Sequence, residues 1–236
     1  MKRFITGSAI WLSFISSMAA QSVDIRNYWP QPAVNNQLIT QDYTLAWGPL
    51  TKTILHRYVK RGVVRGNPVY RLDDYLSTGW IDAWEYRNDG TNILEVADFV
   101  GGQHIVYSVG NEILWGGIQN IGDVLSRSVI VDVSASSGVT AGYWNYGHNS
   151  VTYSALLPTF TNDGGLTFSN VLKLHVFQSW CANTGCAYPS GQLIWTVDYW
   201  FAPSVGIIQT DYLSAPAPFT ARRDFALTIS ETWETP

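Results

Sequence analysis

Charge is scarce in this chain: Asp, Glu, Lys and Arg together make up 14% of 236 residues, where about 25% is usual. Cysteine occurs only at Cys181 and Cys186, methionine twice, and no apolar run reaches the length of a membrane helix. These shortages exclude several classes. A disordered or acidic tail protein would carry more charge and fewer hydrophobic residues than the 46% found here. A coiled coil would not carry so many aromatic residues, 14% of the chain. Nucleic-acid binding is not expected either, because 18 acids outnumber 14 bases. Aromatic residues, in contrast, are abundant, with 11 Trp, 13 Tyr and 9 Phe.

The first twenty residues differ from the rest. Lys2 and Arg3 precede an apolar stretch from Phe4 to Ile15, and small residues close it at Ser16, Ser17, Ala19 and Ala20. This is the three-part layout of a secretory signal peptide. Residues 1–20 are therefore read as the signal, and residues 21–236 as one domain exported to the periplasm or beyond the cell. No transmembrane segment is expected after cleavage. In an oxidising compartment Cys181 and Cys186 are expected to pair, with Asn183-Thr184-Gly185 turning the chain between them. So short a loop would contribute about 2 kcal/mol on the chain-entropy account.

The dominant rhythm of residues 21–236 is two. Val129, Val131 and Val133 alternate with Ile130 and Asp132, and Leu172, Leu174 and Val176 alternate with Lys173, His175 and Phe177. Leu193, Trp195, Val197 and Tyr199 do the same, as do Phe225, Leu227 and Ile229. These are half-buried strands. Asn88-Asp89-Gly90 and Asn162-Asp163-Gly164-Gly165 punctuate them as turns, and only residues 118–127 offer a weak helix. The expected fold is a single antiparallel all-β domain, a barrel or a β-sandwich.

Charge is also segregated along the chain. Residues 52–71 carry six bases and no acid, whereas residues 73–98 carry seven acids and one base, Arg87. A cationic hairpin could dock on lipid headgroups or an acidic glycan. Neutralisation across adjacent strands explains the sign inversion more simply.

Three stretches carry a family resemblance: Tyr28-Trp29-Pro30, then Gly164 to Leu174, then Tyr199-Trp200-Phe201-Ala202-Pro203-Ser204-Val205-Gly206-Ile207-Ile208. Together they resemble a loose group of uncharacterised exported bacterial β-sheet proteins. That group opens on an aromatic-aromatic-Pro-Leu motif and closes on Gly-Thr-Phe-x-Asn-Val-Leu and an aromatic-x-Ala-Pro-Gly-Val-Gly strand pair. Gln31 stands in place of that Leu, Leu166 interrupts Gly-Thr-Phe, and Ser204 replaces the first Gly of the turn. The resemblance implies a strongly curved antiparallel sheet, often a half-open barrel, placed in the cell envelope; it carries over no catalytic residue.

No reaction is dictated by motif. His56, His104, His148 and His175 are isolated, no HExxH or Gly-x-Ser-x-Gly occurs, and neither metal nor cofactor is expected. Asp82 with Glu85, or Asp198 with Asp211, could serve a glycoside hydrolase if brought together. The aromatic clusters are the better lead. Trp144, Asn145, Tyr146 and His148 group rings with hydrogen-bonding side chains, and Trp80, Trp84 and Tyr86 alternate along one expected strand face. The sequence thus favours a non-enzymatic exported protein that binds a small apolar ligand or an envelope protein partner on a concave aromatic face. A carbohydrate-recognition module is the alternative, and a hydrolase with paired carboxylates the third reading.

Overall fold

A computed structural model describes residues 21–34, 36–47, 51–100, 103–131, 146–181, 193–214 and 223–234. The signal segment 1–20, Trp144, Asn145 and Cys186 lie outside these described residues.

Alternation builds strands throughout. They are β1 (Ser22–Asp24), β2 (Gln37–Trp47), β3 (Thr51–Val64), β4 (Asn67–Leu76), β5 (Gly79–Asn88), β6 (Ile93–Val100), β7 (Gln103–Val106) and β8 (Ile113–Gly116). After them come β9 (Ile118–Asn120), β10 (Val124–Ile130), β11 (Tyr146–Thr161), β12 (Thr167–Cys181), β13 (Leu193–Ala202), β14 (Gly206–Ser214) and β15 (Arg223–Glu234). One turn of 3₁₀ helix, Ile25–Asn27, follows β1. The weak helical pattern at 118–127 is instead β9, a turn and the start of β10, because Gly122 takes a positive φ of 100° there.

Thirteen strands form one antiparallel sheet in the order β10-β11-β12-β13-β14-β15-β2-β3-β4-β5-β6-β7, with β8 added to β6. All neighbours except β15–β2 and β6–β8 are consecutive in sequence, and every pairing in the sheet is antiparallel. Between β5 and β6, Asp89 caps the turn by accepting from the Thr91 and Asn92 amides at 2.8 and 2.7 Å. The sheet curls until its two edges meet at one point, an isolated antiparallel bridge between Tyr107 and Val131. Beside it the Ser108 amide donates to the Ile130 carbonyl at 2.7 Å. The ladder does not continue past this seam, so the barrel stays unclosed.

The larger core lies on the inner face. Val59, Leu72, Tyr86, Trp115, Tyr153, Leu172, Leu174, Val176, Tyr199 and Phe201 share one cluster there. The N-terminal segment completes it. Through β1 it pairs with β9, then delivers Trp29 to ring distances of 5.1 Å from each of Tyr86, Trp115 and Phe201. A second cluster, with Tyr43, Leu55, Val171, Trp200, Ile208 and Leu227, lies beside the distal half of the β11–β12 hairpin. Asn162 pins that hairpin's tip: its amide donates to the carbonyls of Ile208 and Leu227 at 2.9 and 2.8 Å. Buried carbonyls rarely go unpaired, and here a side chain serves two of them. Among the described residues no helix is long and apolar enough to cross a membrane.

Candidate functional site

The sign inversion between residues 52–71 and 73–98 resolves as cross-strand pairing. Cross-strand partners share a face, so β3, β4 and β5 carry two separate ionic layers. On the inner face Arg57 meets Asp74 at 2.7 Å, both buried, and lies over the rings of Tyr43 and Trp84. On the outer face Lys60 pairs with Asp73 at 2.7 Å, and Arg71 bridges Asp73 and Glu85 at 2.8 and 3.0 Å.

That outer layer floors an open cleft of about 340 Å³, lined by Lys60, Arg71, Asp73, Tyr75, Trp80 and Phe99. Tyr75 and Trp80 are direct cross-strand partners. Tyr58 meets Tyr75 edge-on at 5.4 Å, and Phe99 does the same to Trp80 at 5.4 Å. Phe99 itself is held between the Arg71 guanidinium, 4.4 Å from its centroid, and the His104 ring, stacked at 4.4 Å. His104 is fixed in turn by Glu85, 2.8 Å from its Nε2. The result is a half-buried aromatic ledge whose supports are ion-paired and stacked. It offers flat apolar area beside charged hydrogen-bonding groups, the combination that grips the CH face and hydroxyls of a sugar.

Strict alternation puts Trp80, Trp84 and Tyr86 on one face; the structure separates Trp80 from the other two. The register between β4 and β5 shifts after Asp74–Asp82, leaving Ile81 unmatched, and Tyr75 then pairs with Trp80. A one-residue bulge turns every later side chain to the opposite face. Trp84 and Tyr86 therefore face inward, Tyr86 fully buried and Trp84 packed against the core, while Trp80 lies on the outer cleft.

Tyr146 and His148 are on β11, next to the β10 edge, and the structure does not bring them into the Trp80 cleft. The partner of His148 Nε2 is Ser126 Oγ on β10 at 2.8 Å, and burial lowers the imidazole's pKa. Cys181 is buried at the end of β12.

The proposed carboxylate pairs fare differently. Asp82 and Glu85 belong to opposite faces of β5, since Asp82 pairs with inward Asp74 and Glu85 with outward Arg71. Asp198 and Asp211 are direct cross-strand partners, with Lys173 and His175 on Asp198 at 2.6 and 2.7 Å. A carboxyl group missed by sequence reasoning is Glu95 on β6. It is buried on the inner face and accepts from Trp115 Nε1 at 3.2 Å and the Tyr107 hydroxyl at 3.4 Å. Burial raises its pKa from 4.5 to about 7, against the Trp115 bond and with help from Asp82. Asp98 is pushed well above its ordinary value by burial, Asp82 and Glu95. No run of sequence marks these groups, because β6 reads as an ordinary mixed strand. Among the described residues no group of His, Cys, Asp and Glu is arranged to hold a metal ion.

No protein-family model matches the chain, and no curated protein matches it. Two solved structures are similar in outline. One is named for its export and its YmcC-like fold and comes from Bacteroides fragilis, with 12% identity, 86% of this chain and 98% of that one covered, and a TM-score of 0.37. The other is named as a lipoprotein and comes from Parabacteroides distasonis, with 10% identity, the same coverage of 86% and 98%, and a TM-score of 0.40.

Proposed function

We propose that the protein is an exported, non-enzymatic β-sheet domain that recognises carbohydrate at the outer cleft of β3–β6. The observation that carries this reading is the Tyr75–Trp80 ledge standing on the Lys60–Asp73–Arg71 ion pairs. An apolar carrier calls for a deep greasy cavity, whereas this cleft is open and half its lining residues are charged. Hydrolysis calls for a carboxyl free to move a proton. In the cleft, the Asp73 oxygens meet Arg71 and Lys60, and those of Glu85 meet Arg71 and His104.

Export rests on the signal layout of residues 1–20, and the resemblance of the opening and closing motifs to exported envelope proteins agrees with it. A Cys181–Cys186 bridge belongs to the same reading. Intact mass of the unreduced mature protein tests both: the chain should begin at or next to Gln21 and lack two hydrogens relative to its reduced form. The function itself is tested by screening the mature protein on immobilised oligosaccharides beside Trp80→Ala. Retained binding in the variant sinks this site, and silence of the wild type sinks the reading.

A further inference from the structure

We infer that the cleft takes an internal stretch of a neutral, linear glycan laid across the strands, not a chain end and not an acidic sugar. This deepens, and rests on, the carbohydrate reading above. Direction comes first. The lining residues belong to four adjacent strands, Lys60 on β3, Arg71, Asp73 and Tyr75 on β4, Trp80 on β5 and Phe99 on β6. At ~4.8 Å between neighbours they span about 14 Å perpendicular to the strands, room for several sugar units in a row. A chain end is normally gripped by a walled pocket, but this cleft is open along the sheet's outer face.

Charge decides between neutral and acidic chains. Lys60 and Arg71 are the cations of the cleft, and both are engaged by carboxylates, Asp73 for the first and Asp73 with Glu85 for the second. Two carboxylates already balance these two cations, so a uronate would meet no net positive charge to offset the cost of desolvating its own. Hydroxyls carry no such cost. Arg71 bonds through Nε and Nη1, so Nη2 donates to nothing among the described residues, and Lys60 is half exposed. A neutral sugar can accept from these donors while its ring lies on Trp80. Phe99 serves as a post, because Arg71 and His104 cover its two faces.

The test is titration calorimetry of the mature protein with the best-binding neutral oligosaccharide series from the array, one to six units, and with an oligouronate series of equal lengths. Affinity for the neutral series should rise at least tenfold between one unit and four, then level off, and exceed that for the uronates. A monosaccharide that binds as tightly as the hexamer overturns the internal-stretch assignment. Tighter, steeply salt-dependent uronate binding overturns the neutral one. Either leaves carbohydrate recognition standing, whereas no binding to any neutral or acidic glycan removes that reading and this inference together. Trp80→Ala should lose binding along the whole series while its melting temperature falls by no more than about 4 °C; undiminished binding by the folded variant places the chain elsewhere and also overturns the inference.

Discussion

Pro30 lies directly over Gly206: a Cβ added to that glycine would stand 2.7 Å from the proline Cδ. Two motifs separated by most of the chain are thereby locked together. The Ser204 amide donates to the Asn27 carbonyl at 2.8 Å, and Trp29 stacks on Phe201 at 5.1 Å beside the same contact. Pro30 also accepts from the Tyr86 hydroxyl. The N-terminal segment is thus fastened to the β13–β14 turn and, through Trp29, fills that end of the curled sheet.

Gly206→Ala should therefore cost about 3 kcal/mol, combining the left-handed backbone with an overpacked contact. Gly165 gives the control, since its φ of 85° is similar to the 94° of Gly206 but nothing lies within 4 Å of an added Cβ. Gly165→Ala should cost about 1 kcal/mol. Urea denaturation of both variants checks the difference; equal costs would mean that the Pro30 contact contributes nothing.

Ser204 adopts a φ of 62° in the same turn, a conformation that suits glycine. A Cβ in that region carries a conformational cost that glycine would not. Ser204→Gly should relieve about 1 kcal/mol of backbone strain, partly offset by greater freedom in the unfolded chain. The net expectation is a small gain, read as a higher urea midpoint with an unchanged slope. A lower midpoint would show that the Ser204 side chain contributes more than its strain.

Fold class was legible because period-two alternation and turn residues both survive into the structure. Leu172, Leu174 and Val176 are buried as their spacing requires, and Asp89 and Asn162 turn the chain where their types suggest. What failed were the faces beyond bulges. Alternation groups Ile229 with Leu227, yet the register between β15 and β2 slips at Thr228, leaving Leu227 buried and Ile229 50% exposed. The slip at Ile81 moves Trp80 outward in the same way. A bulge has no compositional mark in either strand, so face assignments past it are lost to a reader of sequence alone. The cleft was missed as a unit for a related reason: its lining comes from four strands whose register no local pattern discloses.

Trp80 and Trp84 provide the direct test of that slip. Trp84 packs on the core and carries the Arg57 guanidinium 5.2 Å from its ring, so Trp84→Ala should destabilise by about 3 kcal/mol. Trp80 meets mainly Phe99 and the cleft, and Trp80→Ala should cost about 1 kcal/mol or less while removing ligand binding. Melting curves of the two variants separate the roles. Equal losses of stability would put both rings on the core face.

Glu95 sets a pH dependence whose sign is opposite to that of a salt-bridged carboxylate. Its pKa is raised from 4.5 to about 7 by burial, with the Trp115 bond opposing and Asp82 adding to the shift. Below pH 4.5 the group is protonated in both the folded and unfolded chains and favours neither. Between 4.5 and about 7 the unfolded chain gives up the proton while the folded protein keeps it, so stability falls as pH rises, by at most about 1.4 kcal/mol per unit. Above that range the penalty is constant. Asp98 shifts in the same direction and adds to the slope. Glu95→Gln retains an oxygen to accept from Trp115 or Tyr107 and removes the ionisation. The variant should lose less stability than the wild type between pH 5 and pH 8 in urea denaturation. Because Tyr107 is also the residue that bridges to Val131, amide exchange at the seam should slow at pH 8 in the variant. Identical pH slopes in the two proteins would show that Glu95 is already ionised in the folded state.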